Sequence, residues 1–166
     1  HQYREMLIHY SEETTPLGTG GALKNISTEF QSDQVLILNG DSYIDIDYSE
    51  FTSWHASKGG IFSIVVTTSL QAERFGAVRL GPESEVDIFV EKRLSSGENP
   101  GWINAGVYLA QRRFFDILNG MNADQISLEK EVFPSLIGQG LYGYECNGRF
   151  IDIGTPESLI AATNFF

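Results

Sequence analysis

The sequence has few of the residues that disulfides, zinc sites and nucleic-acid interfaces require. One cysteine, Cys146, rules out a disulfide within the chain, and 3 histidines far apart provide too few zinc ligands. With 11 basic residues against 22 acidic ones, the net charge is -11, which argues against nucleic acid and anionic membrane surfaces. No apolar run reaches the length of a bilayer span, and no secretion signal opens the chain. These shortages favour a cytoplasmic protein with neither nucleic-acid nor membrane partners.

The residues that are abundant suit a single compact domain. Of the 166 residues, 42% are hydrophobic and 12% aromatic, which is enough for a core, and we predict one domain over residues 1-166. The chain starts at His1 rather than methionine and enters a strand-like apolar run within a few residues. We therefore expect the sequence to open in the middle of a fold.

Short apolar runs alternate with amphipathic stretches, which predicts an α/β fold with helices covering a sheet. Segment 69-101 has many turn residues and is interpreted as an irregular insertion between core strands. Asp47 and Thr155 are typical helix N-caps, and Thr155 precedes a proline. The predicted strands lie near 5-10, 34-39, 61-68, 76-80, 85-91, 102-110 and 141-146, and the predicted helices near 20-30, 48-58, 111-119, 127-138 and 156-165.

Two apolar runs, 35-41 and 150-154, each carry an aspartate within two residues of a glycine. The first predicts a buried strand that delivers Asp41 to the carboxyl edge of a sheet, where α/β proteins bind ligands. Asp152 lies between two isoleucines, a position that requires a nearby cation. Mg²⁺ bound to a nucleotide takes one or two protein carboxylates, so the pair suits a magnesium site. Alternatively, each aspartate caps a turn or the next helix.

Five short motifs follow one another along the chain, PLGTGGAL at 16-23, LNGD at 38-41, VEK at 90-92, INAGVY at 103-108 and FIDIGTPE at 150-157. Their order is that of the sugar-1-phosphate nucleotidyltransferases, which the chain resembles from about residue 3 to its end. The likeness is greatest to bacterial guanylyltransferases acting on heptose or mannose 1-phosphate, followed by uridylyltransferases. The resemblance implies a Rossmann-like mixed sheet of the nucleotide-diphospho-sugar transferase, or GT-A-like, type.

The resemblance also implies a reaction. The phosphate of a sugar 1-phosphate attacks the α-phosphorus of a nucleoside triphosphate, which gives a nucleotide sugar and pyrophosphate. Asp41 and Asp152 match the Mg²⁺ ligands of the family, and Lys92 matches a catalytic lysine that contacts the sugar phosphate. Catalysis of this kind depends on alignment and charge neutralisation, without a covalent enzyme intermediate.

On the nucleotide side, the resemblance assigns contacts to Glu13, Gly18, Thr19 and Gly40. A glycine-rich run lets the backbone approach a flat base, although glycines also serve packing at a helix N-terminus, with Thr19 as its cap. A carboxylate at Glu13 would accept hydrogen bonds from the adjacent N1 and N2 donors of guanine, which favours GTP over UTP. Glu13 is alternatively half of an exposed acidic pair.

On the sugar side, the matching positions are Gly76, Glu91, Lys92, Asn104 and Gly106. Glu91 would hold sugar hydroxyls, and Gly106 would leave space for the ring. Asn104 lies in an apolar strand, so its amide needs a fixed hydrogen-bond partner, which the family gives to sugar hydroxyls. Gly76 is equally explained as a bulge or turn, and Glu91 with Lys92 as the exposed end of a strand.

The family's Gly-Gly-x-Gly-Thr-Arg-Leu loop does not occur in the sequence. We therefore expect an N-terminally truncated member that is inactive by itself and exposes apolar surface. Two other classes stay open, a non-catalytic sugar-nucleotide-binding or regulatory subunit of the same fold, and a glycosyltransferase. The Asp-x-Asp motif of glycosyltransferases is matched by Asp45 and Asp47, which we interpret as structural residues. The identity of the sugar and assembly into a homo-oligomer also stay open.

Overall fold

The computed structural model describes residues 2–69, 74–90 and 101–165, in which helices pack on a mixed β-sheet. The strands are β1 (Gln2–Tyr3), β2 (Met6–Leu7), β3 (Gln34–Leu38), β4 (Ser42–Ile44), β5 (Phe62–Thr67), β6 (Ala77–Leu80), β7 (Val86–Val90), β8 (Trp102–Gln111), β9 (Leu141–Glu145) and β10 (Phe150–Asp152). The α-helices are α1 (Gly18–Ile26), α2 (Tyr48–Lys58), α3 (Arg112–Gly120), α4 (Phe133–Leu136) and α5 (Pro156–Ala162), with a 3₁₀ turn at Ser27–Glu29 and a π-helical turn at Leu128–Val132.

The main sheet is built around β8. Within the described residues, β7, β6, β8, β5 and β9 follow one another in that order, and β3 also pairs with β8. The edge of β8 that faces away from β5 pairs with β6 at its start and with β3 at its end. Since β5 and β9 are parallel while the other pairs are antiparallel, the predicted mixed α/β architecture is confirmed.

Two apolar clusters lie on opposite faces of this sheet. Neighbouring residues of a strand point to opposite faces, so Ile64 belongs to one cluster and Val65 to the other. Phe114 of α3 packs into the first cluster and Phe51 of α2 into the second. None of the helices in the described part of the chain has the length and apolar character that crossing a membrane requires.

The two short strands predicted within 69-101 are confirmed as β6 and β7, but these strands do not belong to an irregular insertion. They pair with each other, and β6 pairs with β8, so together they form one edge of the main sheet. Their side chains Val78, Val86 and Phe89 are buried in the first cluster. The turn residues between β6 and β7 make one short connection, so turn-rich composition was a poor guide to this segment.

Two other strand predictions need correction. The predicted strand at 5-10 reduces to Met6–Leu7, and the side chains of both residues are exposed. The run at 35-41 is not a fully buried strand, since Leu36 is 42% exposed and Leu38 is 53% exposed. The reason is that β3 packs Val35 and Ile37 on the core, while no described element covers its other face.

Both predicted helix starts are confirmed. Asp47 caps α2 by accepting hydrogen bonds from the backbone N–H groups of Ser49 and Glu50. Thr155 and Ser158 form a reciprocal capping box at the start of α5. Because α5 follows β10 after a short turn, the Thr155 cap fixes the direction in which the chain leaves Asp152.

Candidate functional site

Asp41 and Asp152 are brought together by the antiparallel pair β4 and β10. Asp152 pairs with Ser42, and the N–H of Ile153 donates to the carbonyl oxygen of Asp41 at 2.7 Å. A Cβ atom on Gly154 would lie 3.3 Å from Oδ1 of Asp152 and 3.6 Å from Oδ2 of Asp41. Both carboxylates therefore border the same small volume beside Gly154.

The cation expected beside Asp152 is the guanidinium group of Arg74. Nη2 of Arg74 donates to Oδ1 of Asp152 at 2.9 Å, and the N–H of Gly154 donates to the same oxygen at 3.3 Å. The Asp152 side chain is 18% exposed and that of Arg74 is 32% exposed. Among the described residues, no donor reaches Oδ2 of Asp152 or the carboxylate of Asp41.

The donor set of this pair fits Mg²⁺. Mg²⁺ prefers hard oxygen ligands and usually takes one or two carboxylates, with phosphate and water in its other positions. Nowhere in the described ranges do three or more His, Cys, Asp or Glu side chains gather into a closed metal cage. Asp41 and Asp152 thus offer an open, two-carboxylate site, which suits a metal that also binds a substrate phosphate.

The second acidic pair is used by the fold itself. The hydroxyl of Tyr43 donates to Oδ1 of Asp45 at 2.6 Å, and Nε of Arg149 donates to Oδ2 at 2.7 Å. The Tyr43 hydrogen bond and then Arg149 lower the pKa of Asp45. Asp47 accepts the first N–H groups of α2. These contacts support the structural interpretation of Asp45 and Asp47.

The strand β8 passes beside the carboxylate pair at a bulge centred on Gly106. Gly106 has a φ of +75°, and a Cβ there would overlap Oγ of Ser42 and lie 2.9 Å from Nδ2 of Asn39. The N–H of Asn39 donates to the carbonyl of Gly106 at 2.8 Å. Glycine is therefore required to seat the loop that carries Asp41, and a sugar-facing role for Gly106 stays a prediction.

The predicted fixed partner of Asn104 is confirmed. Its Nδ2 donates to the hydroxyl of Tyr108 at 2.9 Å, and its Oδ1 accepts from the N–H of Gly106 at 3.0 Å. The backbone N–H of Asn104 also donates to the carbonyl of Gly76 at 2.9 Å. Hydrogen bonds thus connect Gly76, Asn104 and Gly106 along the edge of β8 that borders the loop carrying Asp41.

Three further predicted positions lie near this edge or outside the described residues. Gly40 is exposed, and a Cβ there would meet no described atom within 4 Å. Glu91 and Lys92 lie outside the described residues. The last residue of β7, Val90, pairs with the residue directly after Gly76.

The glycine-rich run at 16-23 packs against the segment before the π-helical turn. A Cβ on Gly18, whose φ is +75°, would lie 2.5 Å from the carbonyl oxygen of Ile126. The N–H groups of Gly20 and Gly21 donate to that same oxygen at 2.9 and 3.1 Å. Close packing at the N-terminus of α1 therefore explains why these positions are glycine, which is the alternative to a nucleotide contact.

Thr19 does not cap α1, which corrects part of that alternative. Its hydroxyl donates to Oε2 of Glu129 at 2.7 Å and accepts from the N–H of Leu128 at 2.9 Å, so it binds the first residues of the π-helical turn. Glu13 accepts from the N–H of Leu17 at 3.0 Å, directly before Gly18. The predicted nucleotide-binding residues Glu13, Gly18 and Thr19 thus lie in one continuous segment, which runs from the loop before α1 into its first turn.

Two residues of the site were missed by the sequence analysis. The sequence required a cation at Asp152, but Arg74 is 78 residues away and no local pattern joins the two. Glu129 accepts the hydroxyls of Thr19 and Ser127 on one oxygen. A signal for Glu129 was its position two residues after the N-cap of the π-helical turn, Ser127.

The profile of the family described as "Nucleotidyl transferase" matches residues 2–166. The mannose-1-phosphate guanylyltransferase of Mycobacterium tuberculosis is 32% identical over 158 residues, which are 92% of this chain and 42% of that protein. The D-glycero-alpha-D-manno-heptose 1-phosphate guanylyltransferase of Aneurinibacillus thermoaerophilus is 33% identical over 159 residues, 94% of this chain and 66% of that protein. The chain therefore spans less than half the length of the first of these relatives.

The likeness extends to solved structures. HddC from Yersinia pseudotuberculosis complexed with GMP-PN superposes with a TM-score of 0.74 at 29% identity, covering 93% of this chain and 64% of that one. This superposition confirms the predicted Rossmann-like fold class. With the profile match over residues 2–166, the fold and the relatives in agreement, the chain belongs to the nucleotidyl transferase family.

Proposed function

We propose that the protein carrying this chain is a sugar-1-phosphate nucleotidyltransferase that forms a GDP-linked sugar and pyrophosphate from GTP and a sugar 1-phosphate. The observation that carries the proposal is the convergence of Asp41 and Asp152 beside Gly154. Membership of the nucleotidyl transferase family and likeness to two sugar-1-phosphate guanylyltransferases support the reaction class.

Asp41 and Asp152 would hold Mg²⁺, which nucleotidyltransferases of this family generally use. When bound, the ion would neutralise part of the charge on the nucleotide and sugar phosphates that must approach each other. The backbone holds both ligands in place, since the N–H of Ile153 donates to the carbonyl oxygen of Asp41 and the N–H of Gly154 donates to Oδ1 of Asp152. Lys92 would contact the sugar phosphate as the third catalytic residue.

The nucleotide would lie along the segment that contains Glu13, Gly18 and Thr19, and Gly40 would also contact it. GTP is favoured over UTP because a carboxylate at Glu13 can accept from two adjacent guanine donors, whereas uracil presents carbonyl oxygens beside its single N–H. The two guanylyltransferase relatives and the GMP-PN complex of HddC support this preference.

The sugar would lie along the β8 edge, against Gly76, Asn104 and Gly106, with Glu91 holding hydroxyl groups. Because Oδ1 and Nδ2 of Asn104 already have partners within β8, its contact with a sugar would use the remaining hydrogen-bonding capacity of the amide. Mannose and heptose 1-phosphates are the first candidates, as the substrates named for the relatives.

A panel of sugar 1-phosphates with GTP, UTP, CTP and dTTP, read by pyrophosphate release, tests the proposal on the protein carrying this chain. We expect the highest rate with GTP and mannose or heptose 1-phosphate in the presence of Mg²⁺. Pyrophosphate release with none of the combinations, together with retained nucleotide-sugar binding, would favour the non-catalytic subunit. Transfer of sugar from a supplied nucleotide sugar would favour the glycosyltransferase.

The base preference has its own test in Glu13→Gln, with Glu12→Gln as the matched control for the loss of one charge. We expect Glu13→Gln to lower the ratio of GTP to UTP turnover and Glu12→Gln to leave it unchanged. An unchanged ratio in both variants would remove Glu13 from base recognition. The single domain, the cytoplasmic location, a homo-oligomer and the inactivity of the chain by itself stay predictions.

A further inference from the structure

Arg74 is the residue of the site with a charge opposite to that of the carboxylate pair. Within the described residues, it is the single Lys or Arg side chain in contact with either carboxylate. It stands two residues before Gly76, whose carbonyl accepts from Asn104, so the fold holds it beside the predicted sugar edge. No role follows for Arg74 from the sequence motifs, and the structure gives it one.

Two carboxylates that converge on one small volume repel each other unless a cation lies nearby. The cost is highest for Asp152, whose side chain is mostly removed from water, and a chain of net charge -11 adds to it. Arg74 supplies the counter-charge from within the chain. The pair is therefore neutralised in part before any metal arrives.

The geometry of the ion pair allows Arg74 to exchange partners. The contact joins one guanidinium nitrogen to one carboxylate oxygen rather than two to two, which is the weaker arrangement for arginine. Arg74 also lines two cavities, one of about 410 Å³ that Asp152 and Gly154 border and one of about 520 Å³ beside the first turn of α5. Open space thus adjoins Arg74 both at the carboxylate pair and at α5.

We propose that Arg74 is a stand-in cation, which neutralises Asp152 while no metal is bound and transfers to a substrate phosphate when a divalent cation takes the carboxylates. The inference rests on the proposed function, because that function places a metal and phosphates at this pair. Arg74 and a metal at this pair carry charges of the same sign close together, so each cation opposes the binding of the other. Guanidinium groups bind phosphate oxygens through paired N–H donors, which gives Arg74 a second partner in the loaded site.

The first measurement is the binding of Mn²⁺ alone, followed by the electron paramagnetic resonance signal of the free ion. We expect Arg74→Gln to bind Mn²⁺ several-fold more tightly than the wild type, because the competing charge is gone. Arg74→Lys, which keeps the charge, should stay near the wild type. Arg79→Gln is the matched control, since Arg79 is an exposed arginine of β6 with the same charge and should leave the affinity unchanged. Unchanged or weaker binding in Arg74→Gln, or tighter binding in Arg74→Lys, would overturn the stand-in role.

The second measurement repeats the titration with inorganic pyrophosphate present. In this case we expect the change in affinity to reverse, so that Arg74→Gln binds the Mn²⁺-pyrophosphate complex several-fold more weakly than the wild type. An equal or stronger affinity in the variant would overturn the transfer to phosphate. Asp152→Asn separates the two proposals. If Asp152→Asn leaves Mn²⁺ binding intact, the metal site of the proposed function is wrong. If Asp152→Asn loses Mn²⁺ binding but Arg74→Gln leaves the Mn²⁺ affinity unchanged, only the role proposed for Arg74 is wrong.

Discussion

The chain contains two aspartate pairs, and they differ in how their carboxylate oxygens are used. Asp45 and Asp47, two residues apart, are occupied by Tyr43, by Arg149 and by the first turn of α2. Asp41 and Asp152 are far apart in sequence, share one volume and receive described donors on one oxygen. The comparison shows that carboxylates which converge on one volume with most of their oxygens free, rather than closely spaced acidic residues, mark a candidate metal site.

The largest expected effect is a difference in enzymatic activity between variants of the two aspartate pairs. Asp41→Asn should lower nucleotidyl transfer by the protein carrying this chain by about 100-fold or more, equivalent to roughly 3 kcal/mol of transition-state stabilisation by a bound metal. Asp45→Asn should stay within about 3-fold of the wild type, because its partners lie outside the site. Pyrophosphate release measures both. Similar losses in the two variants would mean that the pairs do not differ in function.

The next effect concerns the packing of the loop that carries Asp41 against β8 at Gly106. Gly106→Ala should lower the free energy of unfolding by roughly 2 to 4 kcal/mol, because it combines a left-handed backbone with overlap against Ser42. Gly59→Ala is the matched control, since Gly59 has a φ of +62° but no described atom within 4 Å of the added Cβ. It should cost about 1 kcal/mol.

Urea unfolding of both glycine variants provides the measurement. Equal losses would mean that backbone conformation alone explains the glycine at 106, and that the Asp41 loop does not rest on β8 as described.

A smaller effect concerns the stability that Asp47, of the structural pair, gives to α2. Asp47→Ala should lower the free energy of unfolding by about 1 kcal/mol through loss of the α2 cap, with Mn²⁺ affinity unchanged. Asp41→Ala should do the reverse, losing Mn²⁺ affinity with little loss of stability, because it removes repulsion from Asp152. Urea unfolding measures the stability of each variant, and Mn²⁺ titration measures its metal affinity. A stable Asp47→Ala variant with weakened Mn²⁺ binding would contradict it.

The smallest effect is the pH dependence of Asp45. Its pKa is lowered in the folded protein by Tyr43 and Arg149, so its contacts stabilise the fold above the unfolded pKa of about 3.9. That contribution should disappear as the pH falls through the lower folded pKa. The difference in urea midpoint between the wild type and Asp45→Asn should therefore be present at pH 7 and absent in strong acid. A difference that persists in strong acid would mean that the contacts do not depend on the ionised carboxylate.

The parts of the fold that could be predicted from the sequence depend on local information. The strands β5 and β8 follow from continuous apolar runs, and the starts of α2 and α5 follow from Asp47 and Thr155. Burial of β3 could not be predicted in the same way. Leu36 and Leu38 have the composition of core residues, but their exposure depends on what covers that face of the strand.

For the candidate site, the sequence supplied the residues but not their partners. Asp41 and Asp152 were recognised from glycine-flanked apolar runs and from the order of motifs. Their meeting requires the β4 and β10 pairing, which is a long-range contact, and so does the ion pair with Arg74. Thr19 shows the same limit, because its partner Glu129 is 110 residues away in sequence.

The most direct test of the central claim is the anomalous diffraction of Mn²⁺ in crystals of the protein carrying this chain, grown with GTP. We predict one Mn²⁺ peak between Asp41 and Asp152, within coordination distance of a carboxylate oxygen of each. We also predict no peak at Asp45 and Asp47. A peak at that second pair, or Mn²⁺ bound to GTP without contact to Asp41 or Asp152, would contradict the account.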